Sequence, residues 1–433
     1  MNFSSIKIQK GRLINTIHET AKFGAHGVWG TEFPTQTGVC RLALTDLDKQ
    51  VRDWFVQETT SLGCSIKVDQ VGNIFATFPG QNEGLPTAIG SHLDTQPTGG
   101  RYDGILGVLS GLEVLRTLKE NNIVPKYPIT LINWTNEEGA RFPMSMVASG
   151  VWAEKVPLET CLNLDSLEET PKKFGDELKR IGYAGETLAS YKQNPIAAHF
   201  ELHIEQGPIL ENENKKIGVV VGGQAFEWNL ITVKGRSSHS GTTPMNTRSD
   251  AMLTASKIII MAIETAEKHG GLGTVGTLNL QPASVNVIPN EVSFSLDVRH
   301  VEDDALESIM NEIKTKAKEI AEQNIGSKFA KPLTVNFENI TTSKAIKFNS
   351  KNIETVKRAA LLLFKEDEIR EIVSGAGHDS CFTSTRVPTS MIFIPSKDGL
   401  SHTPEEYSTP EEVHNGFEVL LRTVLLYDEQ RTE

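Results

Sequence analysis

Short apolar runs that end in polar clusters alternate along this chain with long helical patterns. The runs include Thr87 to Leu93, Ile129 to Trp134 and His199 to Ile204, and a helical pattern from Gly104 to Lys119 lies between the first two. Strands that alternate with helices predict an α/β fold with a mostly parallel sheet covered on both faces. In such sheets the chemistry collects where the strands end. The polar residues that follow each run are therefore the first candidates for a functional site.

A second pattern interrupts the first one between residues 225 and 338. It has the order strand, helix, strand, strand, helix, strand, in the segments Trp228 to Lys234, Arg248 to His269, Gly273 to Leu280, Glu291 to Arg299, Asp303 to Gln323 and Leu333 to Asn336. This β-α-β-β-α-β order is the ferredoxin-like pattern. Because the first pattern then resumes, we expect residues 225–338 to be inserted into a discontinuous domain of residues 1–224 and 339–433. Clefts beside such insertions are common ligand sites.

Composition excludes several classes of partner. The 433 residues are enough for two domains, and the formal net charge of -12 argues against a nucleic-acid partner, which would demand a basic face. No apolar run approaches the roughly 20 residues that span a bilayer. Residues 1–12 lack the apolar stretch of a signal peptide, and the four cysteines show no CxxC spacing. The sequence thus predicts a cytoplasmic protein without a membrane or nucleic-acid partner.

The first polar cluster follows the run that begins at Thr87. Residues i and i+2 of an extended segment face the same way, so Asp94 can orient the ring of His92 for metal binding. Asp103, in the segment between Gly100 and Gly104, is the next candidate. Each residue also has a structural interpretation without a ligand: His92 could lie in a surface loop, and Asp103 could be the N-cap of a helix.

The next clusters supply more carboxylates and histidines. Glu137 and Glu138 follow the run that ends at Trp134, and their side chains point in different directions, so that one can bind a metal while the other faces a water. A solvated acidic turn is the alternative. His199 is expected to be structural. The further candidates at strand ends or in loops are His203, Gln206, His378 and His402, and in the insertion His239, Asn286 and Arg299.

The combination is more informative than any single residue. Three histidines and two or three carboxylates at the strand ends of one domain predict a pair of zinc-like sites. Asp103 could bridge the two ions, as carboxylates do when ions lie roughly 3.5–4 Å apart.

These residues resemble a known family. The segments Gly90 to Asp94, Gly100 to Gly104, Asn136 to Gly139 and His203 to Gly207 look like those of the M20-type zinc amidohydrolases. Within these the chain resembles the N-carbamoyl amino acid hydrolase and β-ureidopropionase (β-alanine synthase) subgroup, from about Ile14 to Tyr427. Allantoate amidohydrolases are close by, and residues 374–380 and 391–402 look especially like fungal β-alanine synthases.

The resemblance implies a role for each residue. One Zn²⁺ would be held by His92, Asp103 and His203, and a second by Asp103, Glu138 and His402, with Mn²⁺ or another divalent cation as an alternative. Glu137 would be the general base, and His239 would stabilise the oxyanion. The substrate would be bound by Gln206, Asn286, Arg299, Gly377 and His378. The insertion would be a lid and the contact of a homodimer.

The implied activity is hydrolysis of N-carbamoyl-β-alanine to β-alanine, CO₂ and NH₃, as in pyrimidine degradation. N-carbamoyl-L-α-amino acids, allantoate and dipeptides remain alternative substrates. A non-catalytic small-molecule binding protein with the same fold is a further alternative, against which the intact pair Glu137 and Glu138 speaks. A thiol mechanism through Cys381 lacks an evident base, and no G-x-S-x-G motif of a serine hydrolase occurs.

Overall fold

The computed structural model describes residues 3–323 and 332–432, and the chain divides into two compact units. The larger contains residues 1–222 and 347–433, and the smaller contains residues 223–346. The helices are α1 (Arg12–Thr20), α2 (Asp46–Ser61), α3 (Ile105–Glu120), α4 (Val147–Trp152), α5 (Leu158–Leu162), α6 (Phe174–Arg180), α7 (Ile209–Asn212), α8 (Ala251–Lys268), α9 (Asp303–Gln323), α10 (Ser350–Leu361), α11 (Asp379–Thr383) and α12 (Pro410–Gln430). The strands are β1 (Ala25–Val28), β2 (Thr37–Val39), β3 (Ser65–Val68), β4 (Ile74–Phe78), β5 (Thr87–His92), β6 (Ile129–Trp134), β7 (Ala198–Ile204), β8 (Ile217–Gly223), β9 (Ala225–Lys234), β10 (Ser238–His239), β11 (Leu272–Thr274), β12 (Leu278–Gln281), β13 (Val287–Ile288), β14 (Glu291–His300), β15 (Thr334–Ser343), β16 (Ile346–Lys347), β17 (Ile369–Ser374) and β18 (Thr389–Ile394).

The larger unit is built around one sheet with the strand order β16-β8-β18-β7-β5-β6-β4-β3, and β17 pairs with β8. The central strands β18, β7, β5 and β6 are parallel to one another. Towards the edges, β8 is antiparallel to β18, and β4 is antiparallel to both β6 and β3. The predicted α/β class with a mostly parallel central sheet is therefore confirmed, and its antiparallel strands lie at the edges.

Burial of the central strands on both faces explains their composition. Every residue of β5, β6, β7 and β18 is buried, as expected for parallel strands covered by helices. The helix α3 packs against β5 and β7, and α12 packs against α3, β7 and β18. A capping box starts α12: Thr409 accepts a hydrogen bond from the Glu412 amide, and Glu412 accepts one from the Thr409 amide. Among the described helices none is both long and apolar enough to cross a bilayer.

The smaller unit has the sheet order β11-β14-β9-β15, all antiparallel, and β12 also pairs with β14. Burial alternates along β9 and β14, because α8 and α9 pack on one face only. The segment predicted as one strand, Gly273 to Leu280, is split into β11 and β12, which pair with different parts of β14.

The domain boundaries differ from the predicted ones. The smaller unit covers residues 223–346 rather than 225–338, because β15 continues to Ser343 in its pairing with β9. Near the N-terminal end of the larger unit, β1 and β2 form an antiparallel hairpin. That the smaller unit forms a dimer contact or a lid stays a prediction.

Candidate metal centre

The carboxyl ends of the four central strands meet at one edge of the sheet. His92 is the last residue of β5 and lies opposite Trp134, the last residue of β6. His203 lies one residue before the end of β7 and opposite Phe393 of β18. The loops that follow β6 and β18 carry Glu137, Glu138 and His402. Residues far apart in the chain are thus placed side by side, as expected for the carboxyl edge of a parallel sheet.

One group of side chains, which we call the strand-end cluster, consists of His92, Asp103 and His203. Their ligand-type atoms all lie within 4.8 Å of one another. The Nε2 atom of His203 is 3.0 Å from Oδ1 of Asp103, and Nε2 of His92 is 3.6 Å from the same oxygen. The exposed fractions of the three side chains are only 1% to 5%.

A second group, which we call the loop cluster, consists of Asp103, Glu138 and His402, again with ligand-type atoms within 4.8 Å of one another. The Nε2 atom of His402 is 3.3 Å from Oδ2 of Asp103 and 3.3 Å from Oε2 of Glu138. The His402 side chain is 50% exposed, and its backbone φ is 58°. The loop cluster therefore opens to solvent through His402.

Asp103 belongs to both clusters, and each of its oxygens serves one of them. Oδ1 faces the two strand-end histidines, whereas Oδ2 faces His402. The alternative role as an N-cap is not observed, because the N-cap position of α3 belongs to Gly104. Gly104 has a φ of 67°, and a Cβ there would lie 2.3 Å from the His92 ring. The glycine is required for α3 to begin so close to the histidine.

Backbone carbonyls orient both strand-end histidines. The Nδ1 atom of His92 is 2.9 Å from the carbonyl oxygen of Asp94, and Nδ1 of His203 is 2.8 Å from that of Ile204. These bonds leave the Nε2 atoms directed at Asp103. The prediction that the Asp94 carboxylate orients His92 is wrong, because its Oδ1 is 3.9 Å from Nδ1 of His92 and the Asp94 carbonyl makes the closer contact. The two carboxylate oxygens of Asp94 accept hydrogen bonds from the amides of Glu137 and Glu138 instead, at 3.3 Å each.

Glu137 is presented by a tight turn after β6. Asn136, with a φ of 55°, donates hydrogen bonds to the carbonyls of Phe142 and Met144 and so holds the turn. The Glu137 carboxylate is buried, and its Oε2 lies 3.5 Å from Nε2 of His92. Burial raises the pKa of Glu137 well above its ordinary value; His92 opposes this shift, and Asp379 adds to it. A carboxyl group with a raised pKa can hold a proton and pass it on.

The charges of the site fit a divalent cation. Burial acts to raise the pKa of Asp103, but hydrogen bonds from His203, His402 and His92 hold it well below its ordinary value. Hydrogen bonds to Asp103 and Glu138 raise the pKa of His402 to about 11. Because the site favours an ionised Asp103 and a protonated His402, its electrostatic field favours a bound positive charge. Imidazole nitrogens and carboxylate oxygens are also the donors that Zn²⁺ and similar ions take.

The substrate residues predicted in the larger unit lie beside these clusters. Gln206 donates from Nε2 to Oδ2 of Asp103 at 2.8 Å and to the Ser401 hydroxyl at 3.1 Å. The buried His378 ring packs edge-on against His203, with 4.6 Å between ring centroids, and its Nε2 lies 2.9 Å from Ser374 Oγ. Burial lowers the pKa of His378 well below its ordinary value. Gly377 precedes it, and a Cβ there would come within 2.8 Å of a Met146 methyl group.

The three predicted residues of the smaller unit lie in two places. His239 is in β10, which pairs with β13, and the Ser240 amide donates to the carbonyl of Asn286, so these two candidates are neighbours. Arg299 lies near the end of β14, where it donates to the Asp297 carboxylate at 2.8 Å and its guanidinium stacks over Phe226. This ion pair within one strand is a purely structural role for Arg299 and the alternative to substrate binding.

Several residues that contact the clusters were not identified from the sequence. Gln96 donates to both oxygens of Glu138, and the buried Glu406 accepts hydrogen bonds from the amides of Tyr102 and Asp103. Glu201, between His199 and His203 on β7, accepts from the hydroxyls of Ser91 and Ser380 at 2.7 and 2.6 Å. The alternation of Glu201 with His199 and His203 could have identified it as a site residue. Acidic residues shortly before a helix, such as Glu406, are too common to be identified in this way.

Two clusters that share a carboxylate lie at the carboxyl edge of the larger unit's sheet, and their imidazole and carboxylate groups are of the types that bind divalent cations. Residues 88–426 match the model of Peptidase family M20/M25/M40, and the chain belongs to that family. M20 enzymes typically bind divalent metals, and this chain is a hydrolase that acts on C–N amide bonds.

Individual relatives show which enzymes of the family this chain resembles. The N-carbamoyl-L-amino-acid amidohydrolase of Rhizobium meliloti is 41% identical over 422 residues, which cover 97% of this chain and 96% of the relative. A ureidoglycolate hydrolase of Oryza sativa is 35% identical and covers 88% of this chain and 79% of its own length. The crystal structure of an amidase of the hydantoinase/carbamoylase family from Burkholderia multivorans has a TM-score of 0.87 and 42% identity, with 98% of both chains covered. The predicted subgroup is thereby confirmed; the special likeness to fungal β-alanine synthases stays a prediction.

Proposed function

We propose that this protein hydrolyses the carbamoyl C–N bond of an N-carbamoyl amino acid. The observation that carries the proposal is the position of Glu137, 3.5 Å from His92 and beside two ligand-type clusters that share Asp103. The relative from Rhizobium meliloti, which matches along nearly the whole chain, has this activity in its name.

Two divalent cations per subunit, Zn²⁺ first among the candidates and Mn²⁺ as an alternative, would be held by the two clusters. His92, Asp103 and His203 would hold one, and Asp103, Glu138 and His402 the other. When bound, such cations polarise a carbonyl group and lower the pKa of a coordinated water. A ureido carbonyl needs this help because its two nitrogens donate electrons into it.

Glu137 is proposed as the general base and acid. Its carboxylate lies beside the strand-end cluster without belonging to either ligand set. It would take a proton from the attacking water and deliver it to the leaving nitrogen. The raised pKa of Glu137 suits this task, because the carboxyl must hold the proton between the two transfers. The products would be the free amino acid, CO₂ and NH₃.

The remaining residues are proposed to bind the substrate. Gln206, Gly377 and His378 lie around the clusters and would contact the ureido group. Arg299 would hold the substrate carboxylate in a bidentate pair, in exchange for its bond to Asp297. From the smaller unit, Asn286 would add a polar contact, and His239 would stabilise the oxyanion, an effect worth about 2.7–4 kcal/mol per donor. That unit is also proposed to join two subunits into a homodimer.

Three substrate classes remain in competition. The name of the Rhizobium meliloti relative favours N-carbamoyl-L-α-amino acids. The motif resemblance favours N-carbamoyl-β-alanine, and the plant relative adds ureidoglycolate. One methylene shifts preference by only about 1–3 kcal/mol, so the residue types alone do not separate the α- from the β-amino acids.

A substrate panel tests the proposal. Purified protein with added zinc would be assayed for ammonia release from N-carbamoyl-L- and D-amino acids, N-carbamoyl-β-alanine, ureidoglycolate and allantoate, and for release of free amino acids from dipeptides. Turnover of at least one N-carbamoyl amino acid, lost with a chelator and restored with metal, is expected. Turnover of dipeptides alone would overturn the substrate assignment, and activity that resists chelation would point to a thiol mechanism. Binding of a substrate without turnover would indicate a non-catalytic binding protein.

A further inference from the structure

We propose that Glu406 is a positioning residue that holds Asp103 and the loop of His402 in register with each other. This proposal rests on the metal centre of the proposed function and assigns a role to a residue outside both clusters. The two loops it would connect are separated by about 300 residues in the chain, since Glu406 bonds to Asp103 with a sequence separation of 303.

Both oxygens of the Glu406 carboxylate are occupied. Oε1 accepts hydrogen bonds from the backbone amides of Tyr102 at 3.0 Å and Asp103 at 2.9 Å. Oε2 accepts one from the hydroxyl of Ser401 at 2.8 Å. The carboxylate thus holds the main chain at the shared aspartate with one oxygen and the residue before His402 with the other.

The backbone at Gly100 packs closely against the side chain of Glu406. Glu406 is 2% exposed, and a Cβ on Gly100 would lie 2.3 Å from both its Cβ and its Oε1. Gly100 is therefore needed so that the backbone can approach the carboxylate. Tyr102 and Tyr407, one residue after Glu406, stack edge-to-face with 5.9 Å between ring centroids. These contacts leave the carboxylate little freedom to move.

Ser401 extends the effect of Glu406 to the side chain of Asp103. Its hydroxyl lies 3.3 Å from Oδ2 of Asp103, the oxygen that faces His402. Gln206 bonds to the same hydroxyl and the same oxygen. Glu406 therefore acts on Ser401, which contacts Oδ2 of Asp103, as well as on the Asp103 backbone.

The expected consequence follows from how metal sites are built. Groups that orient the ligands change metal affinity or activity by about 10–100-fold when they are removed. Glu406 is linked to the clusters through the hydroxyl of Ser401 and the backbone amides of Tyr102 and Asp103. Its loss should therefore change the position of the Asp103 carboxylate. The loop cluster should be affected more than the strand-end cluster, whose histidines are anchored by backbone carbonyls of their own.

The test compares Glu406→Ala and Glu406→Gln with Glu405→Ala and Glu405→Gln, because Glu405 is the exposed neighbour. Zinc content after dialysis and zinc affinity by chelator competition would be measured, together with kcat and KM for the best N-carbamoyl substrate. Glu406→Ala should weaken the more labile zinc by about 10–100-fold and lower kcat. Glu406→Gln should recover part of the loss, because an amide oxygen still accepts both backbone bonds. The Glu405 variants should match the unchanged protein.

The variant Ser401→Ala keeps the proposal testable if Glu406→Ala does not fold, and it should weaken zinc less than tenfold. Equal zinc affinity in the Glu406 and Glu405 variants would overturn the positioning role. A uniform loss of thermal stability with unchanged zinc affinity would also overturn it, since that is what a merely structural residue would produce. If the unchanged protein itself binds no divalent metal or hydrolyses no N-carbamoyl compound, the proposed function fails instead.

Discussion

The strand-end cluster and the loop cluster use the same Asp103 but are built differently. In the strand-end cluster, both histidines lie at the ends of buried strands and are held by backbone carbonyls. In the loop cluster, Glu138 follows a turn and His402, half exposed, lies in a loop with a φ of 58°. Sites on strands are held more rigidly than sites on loops. The comparison indicates that one half of the centre is preformed and that the other depends on side-chain hydrogen bonds.

The loop cluster compensates for its weaker scaffold with many polar contacts. Gln96 holds both oxygens of Glu138, and the Thr98 hydroxyl donates to the carbonyl of His402 at 2.9 Å. The Asp94 carboxylate accepts the amide of Glu138. A single segment between His92 and Asp103 thus ties down the loop ligands. If the strand-end cluster is the more rigid of the two, the two clusters should respond differently to mutation, chelation and pH.

The largest effect is expected at two adjacent residues. Glu137→Gln should lower kcat by about 10²–10⁴-fold, because it removes the proton acceptor, and should leave the zinc content unchanged. Glu138→Gln is the matched variant and should lose zinc from the loop cluster. Metal analysis alongside kcat would separate the two roles. Substantial turnover in Glu137→Gln would exclude it as the base, and zinc loss in that variant would make it a ligand.

The second effect concerns folding stability in the metal-free protein. His203→Ala should lower the free energy of unfolding by roughly 2 kcal/mol or more, because it leaves a cavity at a fully buried position. His402→Ala should change it by less than about 1 kcal/mol, because half of that side chain faces solvent. Urea denaturation of both variants measures this. Equal losses would mean that the two clusters do not differ in rigidity.

The third effect is an order of metal release. Because His402 is half exposed, a chelator should remove the cation of the loop cluster first, with about a tenfold or greater difference in affinity between the two cations. Stepwise chelation followed by metal analysis should show two phases. In His402→Ala only the tighter phase should remain, and a single phase in the unchanged protein would contradict the comparison.

The smallest effect is a dependence of stability on pH. Burial acts to lower the pKa of His203, but its hydrogen bond to Asp103 outweighs burial and leaves that pKa raised. Hydrogen bonds to Asp103 and Glu138 also raise the pKa of His402, but solvent screening at this half-exposed side chain keeps its contribution to stability small. A raised folded-state pKa stabilises the protein fully below the unfolded value of about 6.5, and this contribution is lost as pH rises through the folded value. The melting temperature of the metal-free protein should therefore fall above about pH 6.5. The zinc-loaded protein should fall less, since cations replace the protons. Parallel slopes for both forms would count against these histidines as ligands.

The strand–helix alternation, the inserted ferredoxin-like order and the residue types at the strand ends could all be predicted from the sequence. Hydrophobic periodicity and turn residues are local, so they can be read along the chain. The residues of both clusters could be named for the same reason, as polar residues directly after apolar runs.

The division of those residues into two clusters depends on the packing of the folded chain. That the two oxygens of Asp103 face different histidines, and that Asp94 orients His92 through its carbonyl, depends on side-chain directions that spacing does not specify. The end of β15 at Ser343 depends on its pairing with β9. Glu406 reaches Asp103 across a separation of 303 residues. Such contacts arise only when the packed strands bring distant loops together, because no local pattern encodes which loops will meet.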